Sequence, residues 1–357
     1  MTVRILALTR YGSLGSSSRL RMLQYLPALE RANVTVRVQS LFDDATLALR
    51  YERGSYGWLT FLKCYWQRLM VLRDRQQFDL LWIEKEALPW WPLWIEQTLL
   101  SKTPYVLDFD DAVFHHYDQH RFAPVRYVYG QRIDRLMANA ALVVCGNDYL
   151  SQRARDAGAP WVERLPTVID LERYPLCNIK RSDLPRVVWI GSPSTVKYLD
   201  LIRDPLKALA QEVPFILRVI GGDFHLEGVK TECLPWHEAT EARDVQSCDV
   251  GIMPLMDTSW ELGKCGYKLI QYMASALPVV ASPVGVNKVI VESGQNGFLT
   301  QGTTEWFDAL SKLLTTPALR RKMGRAGRER VEQQYCLQVT APRLIRWLQQ
   351  AAQNRAG

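Results

Sequence analysis

The stretch "VRILALTRYGSLGSSS", residues 3–18, begins as an apolar run, turns polar at Thr9 and then carries two glycines, Gly12 and Gly15. A short apolar run bounded by turn residues reads as a strand buried on both faces, here residues 3–8. The glycine and serine segment reads as a loop. Residues 19–31 follow with Met22, Leu23, Leu26 and Leu29 on one helical face, and "VTVRV" (34–38) reads as a second strand. Strand, glycine loop, helix and strand make a βαβ unit, which implies a parallel sheet.

Working outward, "FDLLWIE" (78–84), "PYVLDF" (104–109) and "ALVVCG" (141–146) extend that sheet. The pattern then restarts with "RVVWIG" (186–191), "FILRVIGG" (215–222), "DVGIMPL" (249–255), "PVVAS" (278–282) and "GFLT" (297–300). A polar, proline-containing stretch at 175–185 separates the two series and reads as a linker. The expected class is α/β: two parallel-sheet domains of similar size joined near residue 180. Ligands of such sheets bind at the carboxyl ends of the strands, so the cleft between two facing domains is the expected site.

Composition narrows the class. The 357 residues suffice for two domains with cores of their own. The first residues hold too short an apolar run for a leader peptide, and the longest uncharged stretch, 269–287, is broken by Gln271, Pro278 and Pro283. The expectation is a cytoplasmic protein. Seven scattered cysteines with no C-x-x-C pair argue against a disulfide framework and a structural zinc site. The net charge of +7 fits nucleic acid, an anionic membrane or a phosphorylated ligand. No nucleic-acid motif accompanies it. The basic excess is local: Arg50, Arg53, Lys63, Arg68, Arg73 and Arg75 interleave with Trp58, Phe61, Tyr65 and Trp66. Two readings stay open there, a contact with an anionic membrane surface or a helix whose aromatics enter the core.

Three further motifs carry a resemblance. "WIGSPSTVKYL" (189–199), "CDVGIMPL" (248–255) and "GKCGYKLIQYMASALPVVASPVGVNKVIVESGQNGFL" (263–299) resemble the retaining nucleotide-sugar glycosyltransferases of family 4, also called group 1, which have the GT-B fold. "RLPTVIDLERY" (164–174) is similar to that family's interdomain segment, and "MGRAGRERVEQQYC" (323–336) to its C-terminal helix. The likeness covers nearly the whole chain and is most specific over 186–299. It implies an acceptor domain over 1–175, a nucleotide-sugar domain over 176–336, both Rossmann-like, and a last helix, 337–357, returning to the first domain.

A departing diphosphate gains negative charge in the transition state, so fixed donors are the first requirement. Gly263, Lys264, Cys265, Gly266 and Tyr267 stand where a helix start offers backbone N–H groups, a positive dipole end and a full charge. Lone lysines at such places are ordinarily solvated. The resemblance makes Lys264, and Lys197 six residues after Gly191, diphosphate ligands and catalytic residues. Ser192 occupies the place of the family's usual arginine, and Arg19 or Lys264 could compensate. The family's paired glutamates align with Gly263 and Gln271, so both acids are missing; Gln271 can still accept from a ribose hydroxyl, and Glu261 can stand in for the first. In "LDFDDAVFHHYD" (107–118), Asp110 aligns with a histidine near the transferred sugar and is expected to be catalytic. Asp111 is expected to bind acceptor or cap a helix, and His115 and His116 to meet solvent or acceptor. "DFD" also matches the D-x-D motif of a different glycosyltransferase fold, a short match common by chance, so no metal is expected. The resemblance implies that the loop of Gly12, Gly15 and Ser16 approaches the donor diphosphate and the acceptor; Glu84, Lys85 and Glu86 follow a strand end and read equally as acceptor-side residues or as solvated loop charges.

The expectation is therefore a retaining, metal-independent hexosyltransferase without a cofactor. It moves a sugar from a nucleotide-diphosphate sugar to an acceptor hydroxyl in bacterial cell-surface polysaccharide synthesis. Its acceptor is a glycan or lipid-linked glycan at the inner membrane face. The alternative is a non-catalytic GT-B partner or scaffold, motivated by the missing acids. A nicotinamide-dependent oxidoreductase lacks its G-x-G-x-x-G fingerprint here, since Gly12 and Gly15 form only G-x-x-G.

Overall fold

Among the described residues twelve strands form two six-stranded, all-parallel sheets, in line with the repeated strand pattern. The computed structural model describes residues 2–176 and 184–353, apart from the side chains of 51–53. The centre of the expected linker, 177–183, lies outside the described residues. The chain divides into unit 1, Met1–Thr167 with Gly263–Cys265 and Thr340–Gly357, and unit 2, Val168–Leu262 with Gly266–Val339.

In unit 1 the strands are β1 (Val3–Tyr11), β2 (Val34–Phe42), β3 (Leu80–Glu84), β4 (Tyr105–Phe109), β5 (Leu142–Cys145) and β6 (Val162–Arg164), in the order β2-β1-β3-β4-β5-β6. Every residue of β3, β4 and β5 is buried, and these strands are apolar except for Glu84 and Asp108. In unit 2, β7 (Arg186–Ile190), β8 (Ile216–Ile220), β9 (Lys230–Leu234), β10 (Val250–Met253), β11 (Val279–Ala281) and β12 (Gly297–Leu299) take the order β12-β11-β10-β7-β8-β9, the doubly wound Rossmann order. Side-chain alternation gives this sheet two cores. Val188 and Ile190 of β7 pack with Leu269, Tyr272 and Met273 on one face, while Val187 and Trp189 pack with Leu310 and Leu313 on the other. Each such fully buried side chain contributes about 1.5–3 kcal/mol.

Several elements differ from the sequence reading. The expected helix 19–31 is two helices, Ser16–Arg21 and Leu26–Arg31, with a tight turn at Leu23–Tyr25. Pro27 has no N–H to bond back to the preceding turn, so the helix restarts there. β6 and β9 are edge strands, β6 only three residues long and β9 partly polar, so neither shows an apolar run. The first boundary falls after Thr167 rather than 175. Ile169 donates to Tyr335 O (3.1 Å) and accepts from Leu337 N (2.8 Å), which ties 168 onward to unit 2. The last helix, Leu337–Gln353, joins unit 1 from Thr340, whose hydroxyl is 3.0 Å from Tyr25 Oη; Arg343 donates to Arg164 O. In the helix Tyr267–Ala274 Ile270 lies on the core face, and Ala276, beyond the helix end, sits in a left-handed turn.

The basic and aromatic stretch forms two helices, Asp44–Arg53 and Trp58–Arg73. The core reading holds for Tyr65 and not for Trp58 and Trp66. Cys64, Tyr65, Arg68 and Leu72 are buried, while Trp58, Leu59, Leu62 and Trp66 are exposed. Arg68 donates to the carbonyls of Gln39 and Ala87 (both 3.1 Å), so it is a structural residue and not surface charge.

The helix Tyr267–Ala274 lies against β10 because Gly251 has no side chain. A Cβ there would fall 2.2 Å from the Tyr272 ring. The ring's hydroxyl accepts from Ile190 N (3.0 Å) and donates to Ile252 O (3.3 Å), which holds helix and sheet in register. Gly251→Ala should therefore lower stability by about 1–3 kcal/mol, read as the urea midpoint; an unchanged midpoint would show that Tyr272 moves aside freely.

Candidate active site

The strand order of unit 1 reverses between β1 and β3, so their carboxyl ends open onto a common place. β1 delivers the glycine loop there. Asp44 holds that loop, accepting from Ser13 N (3.1 Å), Ser13 Oγ (2.7 Å) and Leu14 N (2.9 Å). A Cβ on Gly12 would strike Asp44 at 2.4 Å, and one on Gly15 would strike Tyr11 at the same distance. Both glycines are therefore required by packing. Ser16 is exposed and opens the helix, while Ser18 Oγ donates to Glu84 (2.6 Å) and accepts from Tyr11 N (3.0 Å).

Lys85 is the centre of the charged layer. It follows β3 with φ +65°, a left-handed backbone that costs a non-glycine residue about 1–2 kcal/mol. That turn aims its ammonium at Asp110 Oδ1 (2.8 Å), with Ser17 Oγ at 3.1 Å and Asp111 and Glu84 both at 3.8 Å. Burial pulls Lys85 down, but Asp110, Asp111 and Glu84 outweigh it and hold its pKa above the usual value. Burial pushes Asp110 up, but Lys85, with a hydrogen bond from Ser17, outweighs it and holds the carboxyl below its usual value. Beside this pair, Glu86 accepts from Tyr117 Oη (2.9 Å) and Arg132 Nε (3.1 Å).

Residues 263–265 complete the layer, although the sequence reading assigns them to the nucleotide domain. Gly263 lies flush on Ala112, where a Cβ would fall 2.6 Å from its backbone N. Lys264 Nζ pairs with Asp111 Oδ1 (3.1 Å), and its carbonyl accepts from Asn147 Nδ2 (2.9 Å). Cys265 is buried, with Sγ 3.1 Å from Asp110 O, so it fixes backbone and presents no thiol outward. Asp111 is thus an ion-pair partner, and no side-chain cap from it is seen. His115 is engaged by Asp118 (2.8 Å) and Tyr149 Oη (2.7 Å) rather than solvent, while His116 is exposed. Among the described residues no group of three or more His, Cys, Asp or Glu side chains is placed to hold a metal ion.

In unit 2 the order reverses between β10 and β7, and Gly191 stands at the carboxyl end of β7. Ser192 begins the helical turn Pro193–Ile202 through a capping box with Thr195. Lys197 is exposed on that turn, 5.8 Å from the Tyr198 ring. Lys268, one residue into the helix Tyr267–Ala274, reaches back over the Trp189 ring at 4.0 Å. Its ammonium would touch a Cβ on Gly191 at 2.7 Å, so the absence of that side chain admits the charge. Gly266 opens this helix at φ +67°, a conformation natural only to glycine.

Residues 184–316 match the family described as "Glycosyl transferases group 1". A curated relative, the D-inositol 3-phosphate glycosyltransferase of Pseudarthrobacter chlorophenolicus, is 30% identical over 136 residues, a match that covers 38% of this chain and 31% of that protein's length. Among solved structures, sucrose-phosphate synthase from Thermosynechococcus elongatus superposes with a TM-score of 0.69 at 15% identity, covering 98% of each chain. HepE of Anabaena in complex with UDP-glucose superposes with a TM-score of 0.67 at 18% identity, covering 96% of this chain and 98% of that one. Residues 184–316 are a group 1 glycosyl transferase domain. The chain as a whole has the GT-B fold.

Within the group 1 domain, two family positions take on a new meaning. Gln271 is buried, and its amide donates to Tyr174 Oη (3.2 Å). Tyr174 in turn donates to Glu241 (2.6 Å), whose second oxygen accepts from Trp236 Nε1 (2.6 Å). Glu261, expected to meet the donor sugar, is buried and bonded through both oxygens, by Tyr198 Oη (2.5 Å) and Thr258 Oγ1. Lys268, Asp44 and the Tyr174–Glu241 pair were not read from the sequence. Lys268 differs from other surface lysines only through the fold that brings it to Gly191.

Two outcomes follow from these partners. Tyr174 has one proton, committed to Glu241, so Gln271→Glu removes its second hydrogen bond and adds an acceptor without a donor. Stability should fall by about 1–3 kcal/mol, read as the urea midpoint; a midpoint equal to the wild type would show that residue 271 points elsewhere. Asp110, with its folded pKa depressed, contributes stability above about pH 4 that is lost as pH falls through the folded value. Asp110→Asn should cost about 3–5 kcal/mol at neutral pH and flatten the acid-side decline in a urea series. An unchanged acid limb would contradict the pairing.

Proposed function

We propose that this protein transfers a sugar from a nucleotide-diphosphate sugar to an acceptor hydroxyl, with retention of the anomeric configuration. The observation that carries this reading is Lys268 at Gly191, on the reversal point of a Rossmann-ordered sheet inside the group 1 domain. It supplies the positive charge that Ser192 does not. Lys197 and the N–H groups of the helix start add to it, so the chain's own cations meet the developing diphosphate charge and the reaction is read as metal-independent. The complexes of HepE with UDP and UDP-glucose favour a UDP-sugar as the first donor to test.

Unit 1 takes the acceptor. Asp110 is held ionised by Lys85, which makes it a weak base and a good hydrogen-bond acceptor. It therefore orients sugar or acceptor hydroxyls, and the proton of the attacking hydroxyl passes to the leaving phosphate. Lys264, paired with Asp111, acts on the same hydroxyls. The acceptor class that fits is a glycan or lipid-linked glycan of the bacterial envelope.

Isothermal titration with UDP and GDP tests the donor half. One of them should bind, and Lys268→Met should weaken it about tenfold or more, roughly 1.4 kcal/mol. Asp110→Asn should leave that affinity intact while lowering turnover. Binding of neither nucleotide would overturn the reading. A second reading, a non-catalytic partner of another transferase, is favoured by Gly263, whose contact with Ala112 leaves no room for the family's glutamate. Transfer above background that Lys264→Ala abolishes would exclude it.

A further inference from the structure

Unit 1 carries a continuous exposed aromatic surface that the charged layer does not use. Along the helix Trp58–Arg73, flanking the buried face of Tyr65 and Leu72, Trp58 (70% exposed), Leu59, Leu62 and Trp66 (63%) form one stripe. Tyr65 stacks on Trp91 with centroids 5.7 Å apart and donates to Pro89 O (2.9 Å), so the segment after β3 adjoins this helix. That segment exposes Trp90, and Trp94 (68%) follows it. Trp90 contacts Tyr129, whose hydroxyl donates to its carbonyl (3.2 Å). The helix Ala123–Tyr129 then presents Tyr127 (92%) and Val128.

The charge pattern selects the occupant. Residues 54–73, 87–95 and 119–131 contain no aspartate or glutamate. Their exposed cations are Lys63, Arg73, Arg121 and Arg126. A soluble face this apolar is unusual. Tryptophan and tyrosine favour the headgroup level of a bilayer, and each nearby cation adds about 1 kcal/mol at an anionic surface.

We propose that this face inserts its aromatic side chains into the surface of an anionic phospholipid bilayer. Attraction comes from aromatic burial together with these four cations, and not from the buried Arg68. The surface also leads to the acceptor side: Trp90 N donates to Tyr117 Oη (3.2 Å), which donates to Glu86 (2.9 Å) beside Lys85. On the glycosyltransferase reading, a lipid-borne acceptor lying in that bilayer presents its polar head to Glu86 and Lys85.

Vesicle flotation of the full chain tests this without any donor. Phosphatidylcholine vesicles containing phosphatidylglycerol should carry the protein, pure phosphatidylcholine much less, and tryptophan emission should shift blue on binding. Trp58→Ser with Trp66→Ser should cut partitioning roughly tenfold or more, and Lys63→Glu with Arg126→Glu should remove the preference for the anionic lipid. All four substituted side chains are exposed, so nucleotide affinity should stay at the wild-type value; a failure of nucleotide binding in the wild type would count against the enzyme reading and leave the vesicle result standing. Absence of flotation with anionic vesicles, equal partitioning of the tryptophan variant, or a wild-type dimer that the tryptophan variant dissolves would overturn the proposal, the last by assigning the face to a second copy of the chain.

Discussion

A lysine ammonium buried beside two consecutive aspartates is the constraint around which unit 1 is built. Lys85 is nearly withdrawn from water, and an uncompensated charge there would cost several kcal/mol. Compensation comes from three separate parts of the chain: Glu84 on its own strand, Asp110 and Asp111 after β4, and Ser17 in the helix that follows the glycine loop. Each of these needs the strands in their observed order, because only the carboxyl ends of β1, β3 and β4 meet there. Lys264 then pairs with the outer face of Asp111, which explains why a tripeptide from the middle of the second half of the sequence belongs to the first unit. The same charges that secure the fold leave an ionised carboxylate fixed in direction, the state a hydroxyl-orienting group requires.

Unit 2 solves a different problem, close approach of backbone and charge. Gly251 lets a helix settle onto the sheet through Tyr272, and Gly191 leaves the space that Lys268 fills. A single lysine stacked on Trp189 thereby occupies the end of β7, where the resemblance leads one to expect an arginine at 192. The glutamate positions are settled in another way. Residue 263 is closed to any side chain by Ala112, and residue 271 is taken into the Tyr174–Glu241–Trp236 chain. On the proposed reading, sugar and ribose hydroxyls are recognised by other groups than in relatives with both acids.

The parallel sheets were legible in the sequence because strands such as 80–83 and 250–253 are apolar throughout, and ten of the twelve described strands were read from their hydrophobic pattern. β6 and β9 were not, because β6 is only three residues long and β9 is partly polar. The break at Pro27 was legible in principle from proline chemistry, but the 3.6-residue spacing of Met22, Leu26 and Leu29 dominated the reading. At the site, Asp110 and Lys264 stood out by motif and spacing. The pairings of Asp110 with Lys85 and of Lys264 with Asp111 did not, because ion pairs between residues separated by 25 or more positions leave no local pattern. Lys268 was hidden for the same reason: only the missing side chain at Gly191, far away in sequence, gives its ammonium a place.

On the proposed reading, fixed lysines bind the donor and proton removal is left to the departing phosphate. The most direct measurement is NMR of sugar release or transfer from a panel of UDP- and GDP-sugars, resolved by anomer. The account predicts nucleotide release above the spontaneous rate with one donor, and a first-formed sugar product carrying the donor's own anomeric configuration. A product of inverted configuration, or no turnover across the panel, would contradict it.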